Sequence, residues 1–306
     1  MRRIWDCHSH WMPPEVAQAT TFFKKGWSDI DQLLFRLDQK GVERAVLLYP
    51  SSDAHIKLGS WSGLSAVYNQ EIAKVVKKYP DRLIGTGILA LDNQLDMASQ
   101  VKRIKDIGLE GVSLASSYQG KFLDQGCFQA VFQTAGQENL PIFVHSQIIN
   151  PIGFERVKDP LLMPVVEYVF DITMSAGSLL MSGRLSQFKN FKIIFSHFAG
   201  VLPFLFDRFD STYLMLRSRD LVKDLGGLPS AIFKNIFVDT SGVKSPAMLQ
   251  LALETFGPGQ ILWGSDFPAK KDLSPGIKAI EDLDIEESQK ENILAGNLTK
   301  IFSISH

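Results

Sequence analysis

Short runs of β-branched and aromatic residues recur along the chain between longer stretches whose apolar positions repeat every three or four residues. This is the alternation of βα units that build a parallel sheet. Eight such runs stand out, at residues 3–8, 44–49, 82–89, 111–115, 141–145, 192–197, 236–240 and 261–266. Most are almost continuously apolar, as strands covered on both faces must be, and they end in polar or turn residues. Helical periodicity occupies residues 29–39, 64–78, 95–106, 125–138, 164–182, 201–216 and 246–256, with a closing pair at 275–283 and 286–301. Gly41, Gly108 and the segment Gly257, Pro258, Gly259 stop helices by composition. Eight strand and helix pairs predict an α/β fold of the (β/α)8 TIM-barrel type, in one domain over residues 1–306. An open doubly wound sheet is the rival, disfavoured because no glycine-rich phosphate loop follows the first strand. Two insertions, at 51–63 and 146–163, follow the second and fifth strands. In a barrel both sit at the carboxyl-terminal mouth, where loops build active sites.

Composition narrows the partners. The chain has 306 residues, 45% apolar and 21% charged, with 32 basic side chains against 33 acidic ones. These are globular values and exclude disorder, collagen and coiled coil. A net charge of -1 exerts no long-range pull on phosphate backbones or anionic lipid, so neither nucleic acid nor a membrane is expected as partner. No apolar stretch approaches the roughly 20 residues of a spanning helix. The amino terminus meets charge and histidine before a signal peptide could form, so a cytoplasmic protein is expected. Two cysteines, Cys7 and Cys127, cannot make a disulfide scaffold. Cys7 reads as packing.

Candidate chemistry lies at strand ends. The first run closes on Asp6, Cys7, His8, Ser9, His10, and strand alternation puts His8 and His10 on one face with Cys7 and Ser9 on the other. His145 ends the fifth run, His197 the sixth and Asp266 the eighth; four of six histidines therefore sit at predicted carboxyl-terminal strand ends. In a parallel barrel those ends converge. His8, His10, His145 and Asp266 would reach one divalent ion, with His197 beside it. Three nitrogens and one oxygen favour zinc, with manganese, iron and cobalt open. The run 111–115 contains no Lys, Asp or Glu to bridge a second ion, so a mononuclear site is expected. A divalent ion brings the pKa of its water to about 7. His197 is the natural acid/base, its other reading being a further ligand, and Asp266 can shuttle a proton as well as ligate. His55 is a weak lid candidate and His306 a tail residue.

The motifs Asp6-Cys7-His8-Ser9-His10, Val144-His145, Ser196-His197-Phe198-Ala199-Gly200, Leu262-Trp263-Gly264-Ser265-Asp266-Phe267-Pro268 and Gly296-Asn297-Leu298-Thr299-Lys300-Ile301-Phe302 together resemble the amidohydrolase superfamily. Within it they resemble the amidohydrolase-related branch, sometimes called amidohydrolase 2, that includes aminocarboxymuconate-semialdehyde decarboxylase. The resemblance runs from the first strand to the last helix. It implies a distorted barrel, one catalytic divalent metal on His8, His10, His145 and Asp266, and an acid/base at His197. It further implies that Arg208, eleven positions after that histidine, binds a substrate carboxylate across a homodimer interface; Arg217 and Arg219 follow in the same segment. The chain departs from the branch in having Phe198 and Ala199 where a glycine run is usual. A second carboxylate-binding arginine has no counterpart, only Lys24 or Lys25 in a shortened segment, and ammonium is a poor stand-in for a bidentate guanidinium.

The leading functional expectation is non-oxidative decarboxylation of a planar unsaturated or aromatic carboxylic acid, a small-molecule substrate. The metal and its water would orient the acid, His197 or that water would protonate the carbon bearing the carboxylate, and Arg208 would grip a carboxylate by a bidentate fork. Trp11, Trp61, Phe198 and Phe267 are candidate flat walls, with Trp11 and Phe267 the chosen contacts. The alternative is hydrolysis of a lactone or amide by metal-bound hydroxide with the same His197, since loops set the chemistry of such barrels. A metal-binding protein without turnover is a third reading.

Overall fold

The computed structural model describes residues 2–23, 25–153, 155, 159–187, 192–233 and 236–303. Eight parallel strands carry the fold: β1 (Trp5–Ser9), β2 (Arg44–Leu47), β3 (Leu83–Gly87), β4 (Gly111–Ala115), then, after a two-stranded hairpin of β5 (Ser117–Tyr118) and β6 (Lys121–Phe122), β7 (Ile142–His145), β8 (Ile193–Phe195), β9 (Ile236–Asp239) and β10 (Ile261–Leu262). Their spatial order is β1-β2-β3-β4-β7-β8-β9-β10. The ring closes just beyond β10. The Cys7 N–H donates to the Trp263 carbonyl at 3.0 Å, the Asp266 N–H to His8 at 2.8 Å and the His10 N–H to Phe267 at 2.7 Å. The expected (β/α)8 barrel is therefore present, nearly closed and wrapped by helices.

The period-2 pattern of the strands sorts their side chains into two layers. Ala45, Leu47, Val144, Phe195 and Val238 face outward into the large core shared with helix residues such as Leu37, Ile72, Val101 and Leu179. Val46, Leu48, Ile84, Phe143, Ile194 and Leu262 face inward with Trp5 and Cys7, and Leu298 and Ile301 of the last helix pack on that inner set. Both faces of each strand are thus dry, which is why the strand runs lack polar alternation. Helix starts follow local capping chemistry: the Asp29 carboxylate accepts from the Gln32 N–H ahead of Ile30–Gln39, and Ser60 accepts from Gly63 ahead of Trp61–Lys78.

Several boundaries differ from the periodicity. The expected strands 192–197 and 261–266 shorten to β8 and β10, because His197, Phe198, Ala199 and Asp266 all take positive φ, which no strand tolerates. The stretch 164–182 opens with a π-helical turn, Met163–Glu167, before Tyr168–Met181, and 286–301 is split by a second π turn, Asn292–Gly296. A short helix, Pro14–Ala19, and the hairpin escaped periodicity altogether, being too short to carry it. Among the described residues, no helix is long and apolar enough to cross a membrane.

Candidate metal centre

The site begins with an irregularity in β1. Asp6 pairs with Ala45 but Ser9 with Leu47, so three steps of β1 oppose two of β2, a bulge. The buried Asp6 carboxylate holds it, accepting from the N–H groups of His8 (3.0 Å) and Ser265 (2.9 Å) and from the Ser9 hydroxyl. Simple alternation is corrected here. His8 and His10 do come together, but Cys7 packs in the inner core instead of turning away, because the extra residue lets Cys7 and His8 both face inward.

Ligand atoms of His8, His10, His145 and Asp266 all lie within 4.8 Å of one another. His8 Nε2 stands 3.1 Å from His10 Nε2, and Asp266 Oδ1 is 3.7 Å and 3.5 Å from those two nitrogens. The His197 ring centroid is 5.4 Å from that of His8 and 6.1 Å from that of His145. All five predicted mouth residues are brought to one place.

Hydrogen bonds on the far side of each ring decide what it presents. His10 Nδ1 lies 2.9 Å from the Leu48 carbonyl, His145 Nδ1 2.8 Å from that of Ser146 and His197 Nδ1 2.9 Å from that of Ser241. A carbonyl only accepts, so each Nδ1 carries the hydrogen in the neutral ring and each Nε2 keeps its lone pair. His8 Nδ1 is held at 2.7 Å by a carboxylate, Asp239. Four imidazoles thus aim their basic nitrogens at one buried space.

Electrostatics agree. Burial pulls the His10 pKa down, and burial with neighbouring imidazoles pulls His145 well down, so both favour the neutral form a metal needs. Burial opposes the Asp266 charge, but the His10 hydrogen bond and the His8 and His197 charges outweigh it, and its pKa is lowered. Burial also opposes the Asp239 charge, yet the His8 partner brings that pKa to about 2. For His8, burial works downward while the Asp239 charge and hydrogen bond outweigh it, and the net direction is up. Two lone pairs 3.1 Å apart repel unless a proton or a cation sits between them. With metal bonds of about 2.0–2.1 Å, donors around a tetrahedral ion lie about 3.3–3.4 Å apart, close to the 3.1–3.7 Å among His8, His10 and Asp266, with His145 inside the 4.8 Å cluster. The residues fit a divalent metal.

A family profile described as amidohydrolase matches residues 5–304. The chain belongs to the amidohydrolase family. Among relatives of this amidohydrolase-family chain is the 6-methylsalicylic acid decarboxylase of Penicillium expansum, 25% identical over 97% of this chain and 95% of that protein. Another is the 2-amino-3-carboxymuconate-6-semialdehyde decarboxylase of Dictyostelium discoideum, 25% identical over 90% of this chain and 77% of that protein. In solved structures the fold is similar to 5-carboxyvanillate decarboxylase from Sphingomonas paucimobilis, with a TM-score of 0.88 and 21% identity over all of both chains. It is also similar to 5-carboxyvanillate decarboxylase from Novosphingobium aromaticivorans complexed with manganese and 4-hydroxy-3-methoxy-5-nitrobenzoic acid, with a TM-score of 0.82 and 19% identity over 99% of this chain and 96% of that one.

The remaining expectations scatter. Trp11 is buried, and its indole N–H has no acceptor among the described residues. Phe267 is 1% exposed, its ring in the large core and its carbonyl on the His10 N–H. Phe198 is buried too, whereas Trp61 is half-buried and stacked on His55 at 4.1 Å. Arg208 is exposed on helix Phe206–Arg217, beside Met181, Leu205 and Phe209, and makes no ion pair among the described residues. Lys24, the side chain of Lys25 and His306 lie outside the described residues. Sequence reasoning missed Asp6, Asp239 and Ser241, which orient the site, and Trp27, whose ring centroid is 5.5 Å from that of His10. Asp239 carried a readable signal, a carboxylate closing an apolar strand run like the ligands themselves.

Proposed function

We propose that the chain is a metal-dependent carboxy-lyase, removing CO2 from a planar aromatic or unsaturated carboxylic acid without oxidation, within its single barrel domain. One observation carries this reading: His8, His10, His145 and Asp266 converge with a fourth imidazole, His197, beside them, in a family chain whose near full-length relative is a decarboxylase. His8, His10, His145 and Asp266 would hold the ion. When bound, a divalent cation supplies a Lewis acid that polarises and orients the substrate's oxygens.

The chain's own residues would do the rest. His197, its Nδ1 hydrogen held by the Ser241 carbonyl, exchanges its proton at Nε2. It delivers that proton to the carbon bearing the carboxylate; the C–C bond then breaks, its electron pair refills the π system, and CO2 leaves. Asp266, kept ionised by the imidazoles, takes and returns a proton as well as ligating. Trp11 follows His10 in the chain and offers its unpartnered N–H to a substrate oxygen, while Phe267 backs the wall from the core.

Zinc is the ion this donor set favours; metal analysis of the purified protein returning manganese would replace it. Val166, Phe170 and Met174 stand exposed at four-residue spacing on the helix after β7, which supports a homodimer with Arg208 reaching the neighbouring site. Light scattering that finds only a monomer, or an unchanged KM in Arg208→Lys, removes that role. Cys7 and Cys127 are free thiols, in keeping with the cytoplasm. The deciding assay offers the metal-loaded enzyme hydroxybenzoates and muconate-type acids with CO2 as readout, beside lactones and simple amides. CO2 release is expected; turnover of a lactone with no acid decarboxylated would hand the site to the hydrolytic alternative.

A further inference from the structure

Asp239 ends β9 at 1% exposure, and both its carboxylate oxygens are committed. Oδ2 lies 2.7 Å from His8 Nδ1. Oδ1 accepts the main-chain N–H of His197 at 2.9 Å, the N–H of Ser241 at 3.0 Å and the Ser241 hydroxyl. We infer that Asp239 is a positioning residue that selects the ligating tautomer of His8 and pins the backbone of His197, so that one carboxylate sets both the metal ligand and the acid/base. The inference rests on the metal-site reading above.

The physical argument is about donors and acceptors. An ionised carboxylate only accepts, so it requires a hydrogen on His8 Nδ1 and leaves the Nε2 lone pair for a cation. His10 and His145 take the same tautomer from the main-chain carbonyls of Leu48 and Ser146, which no side-chain substitution converts into donors. His8 alone depends on side chains, the Asp239 carboxylate at 2.7 Å and the Ser241 hydroxyl at 3.0 Å, whose own hydrogen goes to Asp239 Oδ1. On the other flank, Oδ1 gathers residues 197 and 241, the two ends of the contact that holds the His197 ring, since His197 Nδ1 bonds the Ser241 carbonyl. In Asp239→Asn one oxygen becomes an NH2 that only donates. Two N–H groups and a hydroxyl claim the remaining oxygen, so the NH2 faces His8 and drives its hydrogen to Nε2, the atom a metal needs bare.

The test uses 15N-histidine NMR of the full chain, metal-free and zinc-loaded, at alkaline pH, with zinc affinity measured by chelator competition. Wild type is expected to show the His8 hydrogen on Nδ1. Asp239→Asn is expected to show it on Nε2 in the metal-free protein and to bind zinc about 10–100-fold more weakly. Ser241→Ala keeps the carboxylate and is expected to keep the Nδ1 hydrogen. Amide exchange at His197 should stay slow in Asp239→Asn and speed up in Asp239→Ala, which removes both acceptors. Wild-type affinity in Asp239→Asn, or a wild-type His8 with its hydrogen on Nε2, overturns the inference, and the second result is available even if the variant does not fold. None of these readouts uses turnover, so a protein that decarboxylates nothing but shows these tautomers loses the proposed reaction and keeps the role of Asp239.

Discussion

His197 stands beside the ligand cluster with its Nδ1 tied to a carbonyl, so its loss should touch proton transfer and leave the ion in place. His197→Asn is expected to lower kcat by about 10²–10⁴-fold while metal analysis still finds the ion; a metal-free variant would make His197 a ligand instead. Asp171 supplies a different residue-scale prediction. Its carboxylate is buried and accepts from the hydroxyls of Ser116 and Ser117 and the Ile152 N–H, yet burial outweighs these bonds and raises its pKa. Its contribution to stability is therefore complete below the unfolded carboxyl value of about 3.9 and fades as pH rises through the raised native one. The Tm of wild type should fall relative to Asp171→Asn between about pH 4 and neutrality; a gap moving the other way would refute the assignment. At this scale the histidines were legible because each terminates an apolar run. Cys7 was misplaced because a one-residue bulge changes facing, and a bulge held by Asp6 and Ser265, 259 positions apart, leaves no local trace.

Among the elements, the turn after β8 carries the most strain. His197, Phe198 and Ala199 have φ of 53°, 57° and 56°, and Gly200 follows at 71°, a conformation that costs L-residues energy and persists only under external restraint. The helix Tyr168–Met181 supplies part of it: the Thr173 hydroxyl, which donates to the Val169 carbonyl at 2.7 Å with the Ala199 carbonyl at 3.3 Å, accepts the Val201 N–H at 2.9 Å. A Cβ on Gly200 would lie 2.2 Å from both the Thr173 hydroxyl and the Val169 carbonyl. Gly200→Ala is thus expected to cost more than about 1 kcal/mol in urea unfolding and to lower kcat by displacing His197; unchanged values for both would show the helix to be yielding. Element type was readable from periodicity in all eight barrel strands. Their ends were not, because β8 and β10 stop where a turn that serves the site begins, and that demand comes from elsewhere in the fold.

For the whole molecule, the ion should behave as a part of the structure. It would bind donors from β1, the end of β7 and the segment after β10 that assemble only in the closed ring, so it stabilises the folded state by mass action. Divalent metal at about 100 times its Kd should add about 2.7 kcal/mol, or about 4 °C in Tm for a chain of this length, and a chelator should reverse it. A Tm indifferent to both would mean that the ring does not hold an ion. By itself the sequence determined the alternation of strands and helices, hence the barrel, and the placing of four donors and His197 at strand ends, since two-sided burial and helical periodicity are local patterns. Only the tertiary structure decided which nitrogen each imidazole presents, which carboxylate governs His8 and how the strained turn is held. Most of those are properties of hydrogen bonds between separate elements, from Thr173 with Val201 to His8 with Asp239, 231 positions apart, and they exist only once the ring has closed.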